Sequence, residues 1–357
     1  MLSDKTQGDA ELPERKDECI RLHANENPLG MSDQVQNQCM SDLLLMNQYP
    51  DPTYRSLRSA IGHRWNVEPE QLIIGNGSDE LIDIALRSLL KPGSRIVALR
   101  HSFMMYKKRA HILGAIYNEI PVDNNGQVTS NDINEIANNQ TDILVLVNPS
   151  NPLANYIEPS YLLSLVEEIP LSTTVIIDEA YAEFTPDREN TAGLQIVRNR
   201  INSVCLRTFS KAYGLAGLRL GWAYLSVDLL PKLETRRAPY NVSALSSLAG
   251  EYALQDTEHL NRTTEYCGNW GKRLVDLFDA FGIKARSEYV NFVFVEFGND
   301  ASCQEIYNIL EREGFLTSRL TDYSLENCLR ISFGTPTQME KLFSVLQREL
   351  IDRHLLE

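Results

Sequence analysis

Short runs of apolar, largely β-branched residues recur along the first two thirds of the chain: Leu72–Ile74, Arg95–Leu99, Ile143–Val147, Thr174–Ile177, Ser203–Leu206 and Leu220–Tyr224. They are too short for helices and lack a polar face, which is the pattern of strands buried on both sides. Segments of helical period lie between several of them, such as Asp79–Leu90 and Pro159–Glu168. Apolar strands alternating with helices predict an α/β fold with a mostly parallel sheet covered by helices on both faces, whose sites lie at the strands' C-terminal ends.

After about Thr235 the rhythm changes. Helices are predicted at Ser243–Gln255 and Glu265–Ala280, strands at Asn291–Phe297 and Cys328–Phe333, and a last helix at Met339–Ile351. These read as a second, smaller α+β domain. The first twenty residues are charged and lack apolar periodicity, so they predict an arm that orders only against something else. The expected organisation is an N-terminal arm at 1–30, a large domain at 31–235 and a small C-terminal domain at 236–357.

Composition narrows the classes of function. A chain of 357 residues, 43% of them hydrophobic, can bury a substantial core. A formal charge of −14 opposes binding to nucleic acid or anionic lipid, both of which need clustered Lys and Arg. No run reaches the length of a membrane span and the start has no apolar signal stretch, so a cytoplasmic protein is expected. Six cysteines without a C-x-x-C pair and six histidines without ligand spacing predict reduced thiols and no metal site.

Four loops after strands carry candidate chemistry. Thr208-Phe-Ser210-Lys211, continuing to Arg219-Leu-Gly221, puts an amine, two hydroxyls and a guanidinium in one loop. A lysine that attacks a carbonyl must spend time uncharged, which desolvation or a neighbouring cation favours, and Arg219 could also grip a phosphate. A surface lysine in a glycine-rich loop fits that segment equally well. Val175-Ile-Ile-Asp178 ends in a carboxylate able to pair with a protonated ring nitrogen; a helix cap or metal-binding acid is the other reading, weakened because no P-loop motif accompanies it. Gly75-Asn-Gly77-Ser78-Asp79 is a glycine turn whose N–H groups can bind phosphate, or a plain capped turn. Asn151, in Asn148-Pro-Ser-Asn151-Pro152, can donate to a ring oxygen, or mark an ordinary turn.

These four in this order, with Asn25-Glu-Asn-Pro28 before them and Leu329-Arg330-Ile-Ser-Phe-Gly334 after, resemble the fold-type I pyridoxal-phosphate aminotransferases, and within them the histidinol-phosphate aminotransferases. The resemblance runs from about Arg21 to the C-terminus. It implies that Lys211 holds pyridoxal 5'-phosphate as a Schiff base and shuttles the substrate proton, that Asp178 pairs with the ring nitrogen, and that Asn151 and Tyr181 bond the ring's 3'-oxygen. By the same resemblance the phosphate falls to the glycine turn at Gly77, the N–H groups of Ser78 and Asp79, the Ser210 hydroxyl and Arg219. Phe103 matches the aromatic that stacks on the ring, and Tyr49 a tyrosine reaching the phosphate of the neighbouring subunit, so a homodimer with shared active sites is implied. Arg330 matches the residue that pairs with the substrate's carboxylate or equivalent end, and Asn25 is a further candidate substrate contact. The substrates implied are a small amine, histidinol phosphate first, and a 2-oxo acid such as 2-oxoglutarate.

The sequence also departs from that pattern. Asn151-Pro-Leu-Ala154 stands where the family usually has Asn-Pro-Thr-Gly, and the arm lacks a tyrosine in a Pro-Tyr-like context. Ser318 occupies the place of an arginine that grips the substrate phosphate, with Arg319 beside it as a shifted candidate. His23 is a candidate second proton handler. A decarboxylase or an oxidase on the same fold is the alternative reaction, and a cofactor-sensing transcription regulator is disfavoured because no basic DNA-binding module fits before Arg21.

Overall fold

The computed structural model describes residues 19–123, 128, 132 and 141–354, so most of the expected arm lies outside the described residues. The strands in chain order are β1 (Ile20–Arg21), β2 (Leu72–Asn76), β3 (Arg95–Leu99), β4 (Ile116–Ile120), β5 (Ile143–Val147), β6 (Thr174–Asp178) and β7 (Ser203–Thr208). They continue with β8 (Leu220–Leu225), β9 (Lys284–Arg286), β10 (Phe292–Glu296), β11 (Phe315–Leu316), β12 (Ser318–Leu320) and β13 (Leu325–Ser332).

The chain forms two compact units, one of residues Met31–Asn151 and Asn155–Arg262, the other of the residues up to Gly30, Pro152–Ala154 and the chain from Thr263 on. In the larger unit seven strands pair in the order β2-β8-β7-β6-β5-β3-β4, all parallel except β8, which runs antiparallel to both its neighbours. The mostly parallel sheet predicted from the apolar runs is therefore present. Because side chains alternate across a strand, each apolar run splits between two cores. On β5, Ile143, Val145 and Val147 join one cluster with helix residues Leu81, Ile82, Ala85 and Tyr106. Leu144 and Leu146 join the other, with Leu162, Leu165 and Ile196. The same parity on β6 sends Ile176 to the first face and Val175 and Ile177 to the second.

In the smaller unit β12, β13, β10 and β9 make an antiparallel sheet. The chain near the N-terminus belongs to this unit: β1 pairs with β11, and the backbone of Leu22 bonds both Leu316 and Ser332. Among the described residues no helix is long and apolar enough to cross a membrane.

Candidate active site

The site grows from the strand parity at the C-terminal ends of β6 and β7. Asp178 follows Ile176 by two residues and so faces the first core, where burial leaves it 3% exposed. Its Oδ2 accepts a hydrogen bond from the Tyr106 hydroxyl (2.9 Å) and its Oδ1 one from the Ala180 N–H (3.2 Å). Burial pushes this carboxyl up to about 6, with the two hydrogen bonds opposing that rise. A buried acid held by two neutral donors, with no cation bonded to it among the described residues, suits a cationic ring nitrogen.

Lys211 follows β7 in the turn Phe209–Gly214, closed by the Gly214 N–H to the Lys211 carbonyl (3.1 Å) and the Leu215 N–H to the Phe209 carbonyl (3.1 Å). Its Nζ lies 5.9 Å from the centre of the Tyr181 ring, itself buried three residues beyond Asp178. The amine, the acid and the phenol are thus carried on the ends of two adjacent strands.

A cup able to take a phosphate forms where β2 meets β8. Gly75 pairs with Gly221 and Asn76 with Leu220, which brings the start of helix Gly77–Leu89 onto the β8 backbone. The approach admits no side chain on Gly221, whose β-carbon would stand 2.8 Å from Ser78 N, and a β-carbon on Gly77 would stand 2.5 Å from Arg219 Nη2 and displace that guanidinium. Gly77 also takes φ +75°, which glycine adopts freely. Arg219 reaches into the cup with Nη2 3.3 Å from Asp79 Oδ2 and Nη1 3.5 Å from Ser210 Oγ. Ser210 is oriented in turn by Thr208, whose hydroxyl donates to Ser210 Oγ (2.9 Å) and accepts from its N–H (3.1 Å). A helix start, a hydroxyl and a guanidinium together make a site for a phosphate dianion.

Asn151 sits at the end of the β5 loop, behind a cis Asn148-Pro149 bond. The loop is tied by Asn148, which donates to the Ile157 carbonyl (2.9 Å) and accepts from its N–H (2.8 Å). Ala154, where the family pattern has glycine, adopts φ +54°, so an alanine takes the left-handed conformation. Phe103 packs half-buried against the first core. Tyr49 is 82% exposed and stacks on Tyr240, with ring centres 4.7 Å apart.

The remaining sequence candidates belong to the smaller unit. Arg330, on β13, donates to the His23 carbonyl (2.7 Å) and lies 3.5 Å from Ser318 Oγ. Arg319, one residue along β12 from Ser318, turns to the other face of that sheet. It pairs with Asp300 (2.5 Å) and also bonds Gln304 and the Glu326 carbonyl, so it does not join Arg330. Asn25 is buried with φ +52°; its N–H donates to Ser332 Oγ (2.9 Å), and the Ser332 hydroxyl donates to its Oδ1 (2.7 Å). These bonds make it a structural tie of the N-terminal segment. The His23 ring is half-buried, burial lowers its pKa, and Nδ1 has no hydrogen-bond partner among the described residues.

Tyr106 escaped the sequence reading as a site residue. Thr208 and Asn148 stood in the loop motifs of Lys211 and Asn151, but were given no site role of their own.

The aminotransferase class I and II family model matches residues 17–346. The chain belongs to that family. It is 34% identical to histidinol-phosphate aminotransferase 1 of Psychrobacter arcticus over 93% of this chain and 88% of that protein. It is 33% identical to histidinol-phosphate aminotransferase of Maricaulis maris over 92% of this chain and 91% of that one. Among solved structures, histidinol-phosphate aminotransferase of Sinorhizobium meliloti in complex with pyridoxal-5'-phosphate shares the fold, with a TM-score of 0.85 at 23% identity, covering 93% and 91% of the two chains. The chain is thus a pyridoxal-phosphate-dependent aminotransferase, and the residues fit that cofactor. Lys211 would offer the amine for its aldehyde, Asp178 the acid for its ring nitrogen, and the Gly77–Asp79 turn, Ser210 and Arg219 a cup for its phosphate.

Proposed function

We propose that this enzyme moves the amino group of histidinol phosphate, or a closely related amine, to a 2-oxo acid such as 2-oxoglutarate, as a cytoplasmic step of histidine synthesis. The observation that carries the reading is the buried Asp178 beside the Lys211 loop and the phosphate cup, all in one compact unit, together with the relatives' names. Pyridoxal phosphate, when bound, supplies an electron sink that stabilises negative charge at the substrate's Cα. Lys211 would serve as the base that takes the proton from that Cα and as the acid that returns it, both from one position. Asp178 would pair with the ring nitrogen, and Asn151 and Tyr181 would hold the 3'-oxygen. Arg330 receives the acidic end of the amine or of the 2-oxo acid. Arg319 is assigned no substrate contact, since Asp300 and Gln304 engage it.

The active form is proposed to be a homodimer in which Tyr49 serves the neighbouring cup. In support, Tyr49 is exposed beside other exposed apolar residues of the same stretch, Met40, Leu43 and Leu44. The test is incubation of purified yellow protein with histidinol phosphate and a panel of amino acids, following the visible band and glutamate formation from 2-oxoglutarate. Conversion by histidinol phosphate is expected. Rapid conversion by another amine alone overturns the substrate assignment, and release of CO2 overturns transamination. Lys211→Ala is expected to lower turnover by about a thousandfold or more, the scale of a lost acid–base group.

A further inference from the structure

We infer that Tyr106 is a positioning residue for this reaction: its hydroxyl fixes the orientation and charge of Asp178 and so sets how strongly the protein grips the cofactor's ring nitrogen. The inference rests on the reading of Asp178 as the ring-nitrogen partner.

Tyr106 lies in the first turn of helix Met105–Ile112 and is fully buried in an apolar cluster with Ile176 and Leu206. A phenol in such surroundings must satisfy its O–H, and here it donates to Asp178 Oδ2 at 2.9 Å. Burial and the adjoining carboxylate raise its own pKa well above the usual tyrosine value, so it stays a donor across the working pH range. With the Ala180 N–H on Oδ1, each oxygen of Asp178 holds one donor and the plane of the carboxylate is set. Two charged groups acting on Asp178, Asp79 at the start of helix Gly77–Leu89 and Glu179 next in the chain, both favour its protonation. Among the described residues, Tyr106 is the one side chain whose hydrogen bond opposes them. Phenylalanine would keep the packing and lose that opposition. Asp178 would then turn more freely and take a proton more readily, and both changes weaken its hold on a cationic ring nitrogen.

The test compares wild type, Tyr106→Phe, Asp178→Ala and the double variant in the full chain, measuring cofactor Kd against pH and the Tm of the apoprotein. Tyr106→Phe is expected to raise Kd about ten- to a hundredfold, the scale of a hydrogen bond to a charged group. The acid-side midpoint of Kd against pH, near 6 in the wild type, should move upward. In the Asp178→Ala background the same change should alter Kd by less than about twofold, because it acts through the missing residue. A lower Tm with unchanged Kd and midpoint, or losses that multiply in the double variant, overturns the inference. If Tyr106→Phe does not fold, 3-fluorotyrosine at position 106, a stronger donor of similar size, should lower the midpoint, and an unchanged midpoint overturns the inference. Wild-type Kd in Asp178→Ala defeats the reading of Asp178 itself. Loss in Asp178→Ala with none in Tyr106→Phe defeats only the role of Tyr106.

Discussion

The two faces of the large sheet, at the ends of β6 and β7, treat buried charge in opposite ways. On one face, among the described residues, the Asp178 carboxyl accepts only from the Tyr106 hydroxyl and a backbone N–H. On the other, strand parity collects Glu179, Arg207 and Cys205, and Glu183 joins them from the turn beyond. Arg207 is 0% exposed, flanked by Trp65 and Trp222 at 5.1 and 5.5 Å, with carboxylate oxygens of Glu179 at 3.7 Å and Glu183 at 3.6 Å. Glu179 also accepts bonds from the Thr191 hydroxyl (2.6 Å), the Gly193 N–H (2.8 Å) and the Cys205 thiol (3.3 Å). Burial raises both adjacent acids, but their surroundings differ: Glu179 faces the Arg207 guanidinium, while Asp178 has no cation bonded to it among the described residues. A buried charge matched within the chain is structural, and one left unmatched marks a functional site.

The largest expected effect breaks the matched side. Arg207→Leu strands two carboxylates and should cost about 3–5 kcal/mol of apoprotein stability, read by urea denaturation. The folded fraction should keep its cofactor Kd close to wild type; a large loss of cofactor affinity there would mean that the two faces are not independent.

The unmatched side should respond in the reverse sense. Asp178 is lifted by burial from 3.8 to about 6 in the folded protein, so the folded state holds a proton that the unfolded state has released. Its contribution to apoprotein stability is therefore greatest below 3.8 and falls by about 3 kcal/mol as pH rises to 6, at 1.36 kcal/mol per unit. Asp178→Asn should remove that slope and leave the apoprotein more stable at neutral pH, while weakening cofactor binding. An unchanged stability–pH curve would show that Asp178 is not the strained acid described here.

The smallest effect concerns the loop beside Asn151. Ala154→Gly should raise Tm by about a degree, since removal of the β-carbon relieves about 1 kcal/mol of left-handed strain and the entropy that glycine loses on folding offsets most of it. A fall in Tm would mean that the methyl packs well enough to outweigh its backbone cost.

How far these features could be read from sequence follows from what fixes them. β3 and β5 were legible to the residue because every residue but the exposed Arg95 is apolar and buried. The edge strand β4, Ile-Tyr-Asn-Glu-Ile, was missed because most of it is exposed and its polar residues dilute the signal. Helix Met105–Ile112 was missed for a related reason, since Lys107, Lys108, Arg109 and His111 crowd eight residues. Lys211, Asp178 and Arg219 stood out because the residue type and the position after a strand both point to chemistry. Tyr106 did not, because the partner of a buried phenol is decided by how a helix lies across a sheet. Arg319 illustrates the same limit: strand alternation separates it from Ser318, but β12 has only three residues, too few for its period to show.

The contact between Gly77 and Gly221 has a further consequence. A methyl on Gly221 would strike the Gly77–Ser78 backbone and could enter only if the strand and helix moved apart, while one on Gly77 would displace the Arg219 guanidinium and strain a left-handed backbone. The rim proposed to grip phosphate is therefore frozen against gradual change, and any drift toward new amines must begin in loops whose side chains still have somewhere to go.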